Sequence, residues 1–237
     1  MAGYCSNTAL ILCYCNVMQP PVKPSGDEPF PRRQRRARAT RLRILDVARA
    51  LFLEQGYVGT TINAIAERAD VAPETVYAAF GNKRGLLSQL VDLSIAGNAA
   101  TLPVLEQGWV RELREAPDVR HRIRMLAHQG RLILERRAAL DEVVRGAASA
   151  DPEIAALHDR GKAERFAGQR DLLRLAAGET PLAEGIDLAT AVDIVYALGS
   201  PETYRLLVVD RGWSGDRFET WYGETLERLV GLPASSR

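Results

Sequence analysis

The sequence predicts an all-α protein: an N-terminal three-helix, helix-turn-helix head followed by a larger helical body. Three observations predict it. Apolar residues recur at helical spacing along most of the chain, and strand-like alternation is scarce. Two short periodic segments between Thr60 and Phe80 are separated by only four residues. Charge is split, with 11 Lys/Arg against 6 Asp/Glu in residues 31–95 and 19 against 22 in residues 96–237, although the whole chain is only +1. On charge alone, a polyanion-binding head and a solvated basic face are equally compatible with that split. The expected organisation is an extension over 1–30, a head over 31–95 and a body over 96–237.

Residues 1–30 read as a disordered tail. The apolar run from Ala9 to Cys15 is too short to span a bilayer, and no Lys or Arg precedes it as in a signal peptide. Met18 offers an in-frame alternative start. All three cysteines, Cys5, Cys13 and Cys15, lie here, so no disulfide framework staples the body, which reads as cytoplasmic. Neither Cys13 nor Cys15 has the partners of a zinc site.

Residues 31–43, PRRQRRARATRLR, carry seven arginines and no acid. A flexible basic arm of this kind, with Arg38 and Arg41, can reach phosphates or a minor groove; the alternative is a solvated tail. Leu42, Leu45, Ala48 and Phe52 then mark the first helix, and Gly56 stands where a C-terminal glycine ends one. Thr61 is placed to cap the second helix, which runs through Asn63 and buries Ile62, Ile65, Ala66 and Ala69. Asp70 falls where the turn needs a left-handed residue, and Val71 plugs the gap between the helices. Pro73 opens the third helix at its first position. Asn82 caps a fourth, with Leu86, Leu87, Leu90 and Leu93 inward.

The third helix has two faces. At about 100° per residue, Val76, Ala79 and Phe80 cluster inward, leaving Glu74 and Ala78 opposite, flanked by Thr75 and Tyr77. That outer face lacks bulk, so it fits deep in a major groove. Glu74 is suited to accept from a cytosine amino group, Ala78 to touch a thymine methyl, and Thr75 to bond a base or a phosphate. The Tyr77 phenol and the Lys83 ammonium suit phosphate oxygens. The expected DNA-contact set is therefore Arg38, Arg41, Thr61, Asn63, Pro73, Glu74, Thr75, Tyr77 and Lys83.

The run GYVGTTINAIAERADVAPETVYAAFGNKRGLL, residues 56–87, resembles the DNA-binding signature of the TetR/AcrR-type regulators. The matching elements are Gly56, Thr60-Thr61-Ile62, Ile65-Ala66, Val71, Tyr77, Phe80 and Lys83. Asp70 and Ala72 depart from the glycine and serine common there, and Ala72 can neither cap the third helix nor offer a hydroxyl. The resemblance covers about 50 residues and implies a sequence-specific regulator: a repressor released from its operator by a small molecule, or else a constitutive DNA binder. It also implies a body of about six helices, with an effector cavity and a homodimer formed through the last two.

In the body, Asp151-Pro152 opens a helix towards Gly178; Asp187, Ser200-Pro201 and Ser214 open three more, and Gly231 and Pro233 end the last. Residues 96–118 carry a weaker pattern. Phe218, Trp221, Tyr222, Leu226, Leu229 and Val230 form a wide apolar stripe that reads equally as core or as a pairing surface beside Pro201–Arg211. One short recognition helix touches too few base pairs to specify a genomic site, so two copies on a near-palindromic operator are expected. His121, His128, Glu135 and Glu142 share a helix face, but steps of about 10.5 Å are too long for one metal. Trp109, Met125, Leu132 and Phe166 read as core or as cavity lining. No phosphate loop, nucleophile elbow or H-E-x-x-H occurs, so neither enzyme, metal nor cofactor is implied, and no membrane partner.

Overall fold

The computed structural model describes residues 32–97 and 104–232, all of them in helices or connecting turns without a strand. The extension over 1–30 lies outside the described residues. The helices are α1 (Arg32–Gly59), α2 (Ile62–Arg68), α3 (Pro73–Phe80), α4 (Lys83–Ala96), α5 (Gly108–Glu115), α6 (Val119–Ala148), α7 (Pro152–Ala177), α8 (Leu188–Leu198), α9 (Pro201–Tyr204) and α10 (Gly215–Leu229). A π-helical turn, Arg205–Asp210, continues α9.

The chain divides into two compact units. Of the described residues, the first takes those up to Gly97 together with Glu142–Ala155; the second takes Val104–Asp141 and those from Ala156 onward. The expected cut near residue 95 left the α6–α7 turn in the body. Ion pairs explain its place in the first unit: the Arg84 guanidinium in α4 lies 2.7 Å from Glu153 and 3.8 Å from Asp151. Asp151 also caps α7, accepting from the Glu153 amide at 2.9 Å.

In the first unit the apolar period of α1 buries Ile44, Leu45, Ala48, Leu51 and Phe52 against Ile65, Val76, Leu86 and Leu87 of the core. At Gly56 the backbone leaves the helix at φ 71°, a conformation that costs a side-chain-bearing residue about 1 kcal/mol or more. The basic stretch before Leu42 is helical rather than a flexible arm. Arg, Gln and Ala are strong helix formers, and α1 gives them a folded segment to extend.

In the second unit α5, α6, α7, α8 and α10 enclose one core. Val110, Leu113, Ile123, Leu134, Leu173, Val195 and Phe218 lie in it. Asp187, Ser200 and Ser214 cap their helices by accepting amides at 2.8–3.1 Å. The 218–230 stripe belongs to this core: Phe218, Leu226 and Val230 are wholly buried and Tyr222 and Leu229 nearly so, within a single chain. Of the two readings of that stripe, burial within one chain favours core for Leu226 and Leu229. The reason is packing, since α10 lies against α8 and the π-helical turn. Trp109 and Met125 pack at the core's edge. Phe166 is more than one-third exposed, with its edge on Tyr196. His121 pairs with Asp118 and His128 with Glu219; no group of metal-ligating side chains occurs among the described residues.

Candidate nucleic-acid interface

The helix-turn-helix is assembled by local bonds. Thr61 caps α2, its hydroxyl accepting the Ala64 amide at 3.1 Å. The chain then turns within three residues: the Asp70 amide donates to Glu67 O at 3.1 Å and the Val71 amide to Ala66 O at 3.0 Å. Asp70 takes φ 50°, the left-handed conformation expected of it, and its carbonyl faces the Arg43 guanidinium at 3.5 Å. Pro73 opens α3, and Ala72 supplies no side-chain cap. Asn82 starts α4 by accepting the Gly85 amide at 2.8 Å.

Val76 and Phe80 are buried, whereas Glu74, Thr75, Tyr77 and Ala78 are all exposed, with Tyr77 half in solvent. Among the described residues, nothing covers the recognition face. Thr61 and Asn63 are exposed at the start of α2. Arg38 is half-buried, one turn before Arg41.

Arg41 and Lys83 turn inward. Arg41 Nη1 donates to Ala79 O at 2.6 Å, Nη2 donates to Gln89 Oε1, and the guanidinium lies 4.4 Å from the centre of the Phe80 ring. It ties α1 to the end of α3 and to α4, which gives Arg41 a structural role. Its fixed donors meet acceptors 38 and 48 residues away, which no local pattern could have revealed. Lys83 Nζ donates to Tyr57 O and Thr60 O, each at 2.7 Å, and sits 4.2 Å from the centre of the Tyr57 ring. Burial pushes this ammonium below the usual lysine range, with Asp151 partly opposing. One N–H is left beyond those two bonds.

Sequence reasoning missed two partners of this lysine. Thr60 is wholly buried and its hydroxyl donates to Gly56 O at 2.8 Å, while its neighbour Thr61 is exposed. Tyr57 stacks on Phe52. Burial and then Asp151 raise its phenol pKa. Gly56, Tyr57, Thr60 and Lys83 therefore fix where α2 begins relative to α4. Between those two starts lies the recognition helix.

A capped helix-turn-helix with an exposed recognition face is the arrangement of DNA-binding transcriptional regulators. Residues 44–90 match the family of bacterial regulatory proteins called the tetR family. Over that segment the chain is similar to that family. The regulator YdeS of Bacillus subtilis, uncharacterized and of the helix-turn-helix type, is 26% identical over 85% of this chain and 93% of its own length. The repressor SCO4008 of Streptomyces coelicolor is 32% identical over 32% of this chain and 41% of its own. Among solved structures, FadR of Bacillus subtilis in complex with stearoyl-CoA superposes with a TM-score of 0.59 at 19% identity, covering 80% of this chain and 97% of that one. At such identity the likeness is one of fold.

Proposed function

We propose that this regulator is a repressor that binds a near-palindromic operator as a homodimer and leaves it when a small molecule binds the body. The observation that carries this reading is the exposed face of α3, where Glu74, Thr75, Tyr77 and Ala78 stand opposite the buried Val76 and Phe80. Glu74 and Thr75 read base edges, with Ala78 against a thymine methyl. Tyr77, the Thr61 hydroxyl, Asn63, Arg38 and the remaining Lys83 N–H meet phosphates, and Pro73 sets the approach of α3. With the 218–230 stripe occupied as core, pairing falls to other apolar side chains. Leu206 and Val209, both more than half exposed on the π-helical turn, are available for it. The stearoyl-CoA held by FadR supports a body that takes small molecules. Release requires the ligand to favour the DNA-incompetent spacing of the heads, and DNA must then weaken ligand binding by the same factor.

Sequencing the genomic fragments retained by the purified protein tests this. The expected result is a two-fold symmetric site, with base preference altered at one or two pairs per half-site in Glu74→Ala or Thr75→Ala. Unchanged preference in both variants means that α3 is rotated from this reading. Operator affinity indifferent to a broad metabolite panel favours a constitutive binder.

A further inference from the structure

The second unit contains an open cavity of about 570 Å³, bounded by Arg114, Arg122, Leu175, Gly178, Glu179 and Pro181 among others. Its chemistry is set by two guanidinium groups. Arg122 stands near the start of α6, and its Nε donates to Ala176 O, in the last turn of α7, at 2.8 Å. This bond fixes the plane of the group and leaves its terminal nitrogens for the cavity. Gly178, at φ 57°, makes the room: a Cβ there would lie 3.3 Å from Arg122 Nη2. Arg114, in the last turn of α5, is exposed on the same cavity. Neither arginine has a carboxylate within 4 Å among the described residues. Glu179 also borders the cavity, so the charged lining is two positive against one negative. A guanidinium oriented through Nε, with its other donors unused, matches the bidentate geometry of a carboxylate or phosphate.

We propose that this cavity binds a small organic anion: a carboxylate or phosphate held by Arg122 and Arg114, with an apolar portion over Leu175 and Pro181. The inference stands whether or not such an anion is what releases the protein from DNA. Calorimetric titration of the full chain with octanoate, octyl phosphate and inorganic phosphate tests it. The expected result is one saturable site per chain for octanoate or octyl phosphate, with inorganic phosphate weaker than both. Arg114→Ala, at an exposed side chain that does not carry the fold, is expected to weaken binding about tenfold, and Arg122→Lys by at least as much. Absence of saturable binding by either amphiphile overturns the proposal, as does an affinity unchanged in both variants. Inorganic phosphate binding as tightly as octyl phosphate overturns the organic half of it. Weakened binding of a random-sequence duplex by Arg114→Ala and Arg122→Lys also overturns it, since the cleft would then belong to nucleic acid. Fragment retention by the same variants reports on the regulator reading separately.

Discussion

The head and the body are both helical, yet they use exposed and buried surface in opposite ways. In the head, α2 and α3 are seven and eight residues long, too short to stand alone, and each is fixed by a cap, a proline or a long-range bond. Such helices keep one face for their neighbours and leave the other bare. In the body, the apolar stripe of α10 is consumed by its own chain, with Phe218 and Leu226 wholly buried. An amphipathic helix thus advertises a burial partner without saying whether the partner lies in the same chain.

The largest expected effect attacks the body's side of that contrast. Leu226→Ala removes a wholly buried side chain from the core. It is expected to cost about 2–5 kcal/mol, read as a fall in melting temperature by circular dichroism. A variant that keeps its melting temperature and changes only its oligomeric state on sizing would return the stripe to being an interface.

The head's counterpart is Arg41. Arg41→Ala removes donors to Ala79 O and Gln89 and the cation over Phe80. A loss of about 2–3 kcal/mol in urea unfolding is expected, and Arg41→Lys is not expected to restore it, because one ammonium cannot reproduce the fork. Arg35, exposed three residues before Arg38, supplies the contrast. Arg35→Ala is expected to leave stability within about 0.5 kcal/mol. Equal stability losses at both positions would dissolve the distinction between clamp and arm.

The sequence made the head legible where its signals are local. Thr61, Asp70, Pro73 and Asn82 each stand at the backbone position that their residue type serves, and the inner face of α3 follows from period alone. The roles of Arg41, Thr60 and Lys83 were not legible. An arginine in a basic run looks the same whether it faces solvent or a carbonyl 38 residues away. The same holds for adjacent threonines of which one is buried. In the body, caps at Asp187, Ser200 and Ser214 marked helix starts, while the fate of the stripe depended on tertiary packing.

Acid sharpens the comparison further. Burial pushes the Glu219 carboxyl up, but hydrogen bonds from Arg131 at 2.8 Å and His128 at 3.0 Å hold it below its usual 4.5 on balance. A folded pKa lower than the unfolded one contributes stability above about pH 4.5 that is lost as pH falls through the folded value. Glu219→Gln is expected to flatten that part of the stability profile in chemical unfolding measured from pH 3 to 6, roughly the range in which carboxylates titrate. An unaltered profile would remove Glu219 from the contacts that hold α10 to α6.

The smallest expected effect returns to the turn of the helix-turn-helix. Asp70 is the one side-chain-bearing residue with positive φ among the described residues. A left-handed backbone costs an ordinary residue about 1–2 kcal/mol, less for aspartate, and almost nothing for glycine. Glycine also loses more freedom on folding, which offsets part of that gain. Asp70→Gly is therefore expected to stabilise the head by no more than about 0.5 kcal/mol, and Asp70→Ala to destabilise it by about 1 kcal/mol. The two variants remove the same negative charge beside the recognition helix, so both are expected to tighten DNA binding slightly at low salt and to lose that gain as salt rises. Comparing them separates backbone from charge: urea midpoints that coincide would mean that the left-handed turn costs nothing here, and affinities that part at low salt would mean that backbone geometry rather than charge governs the approach to DNA.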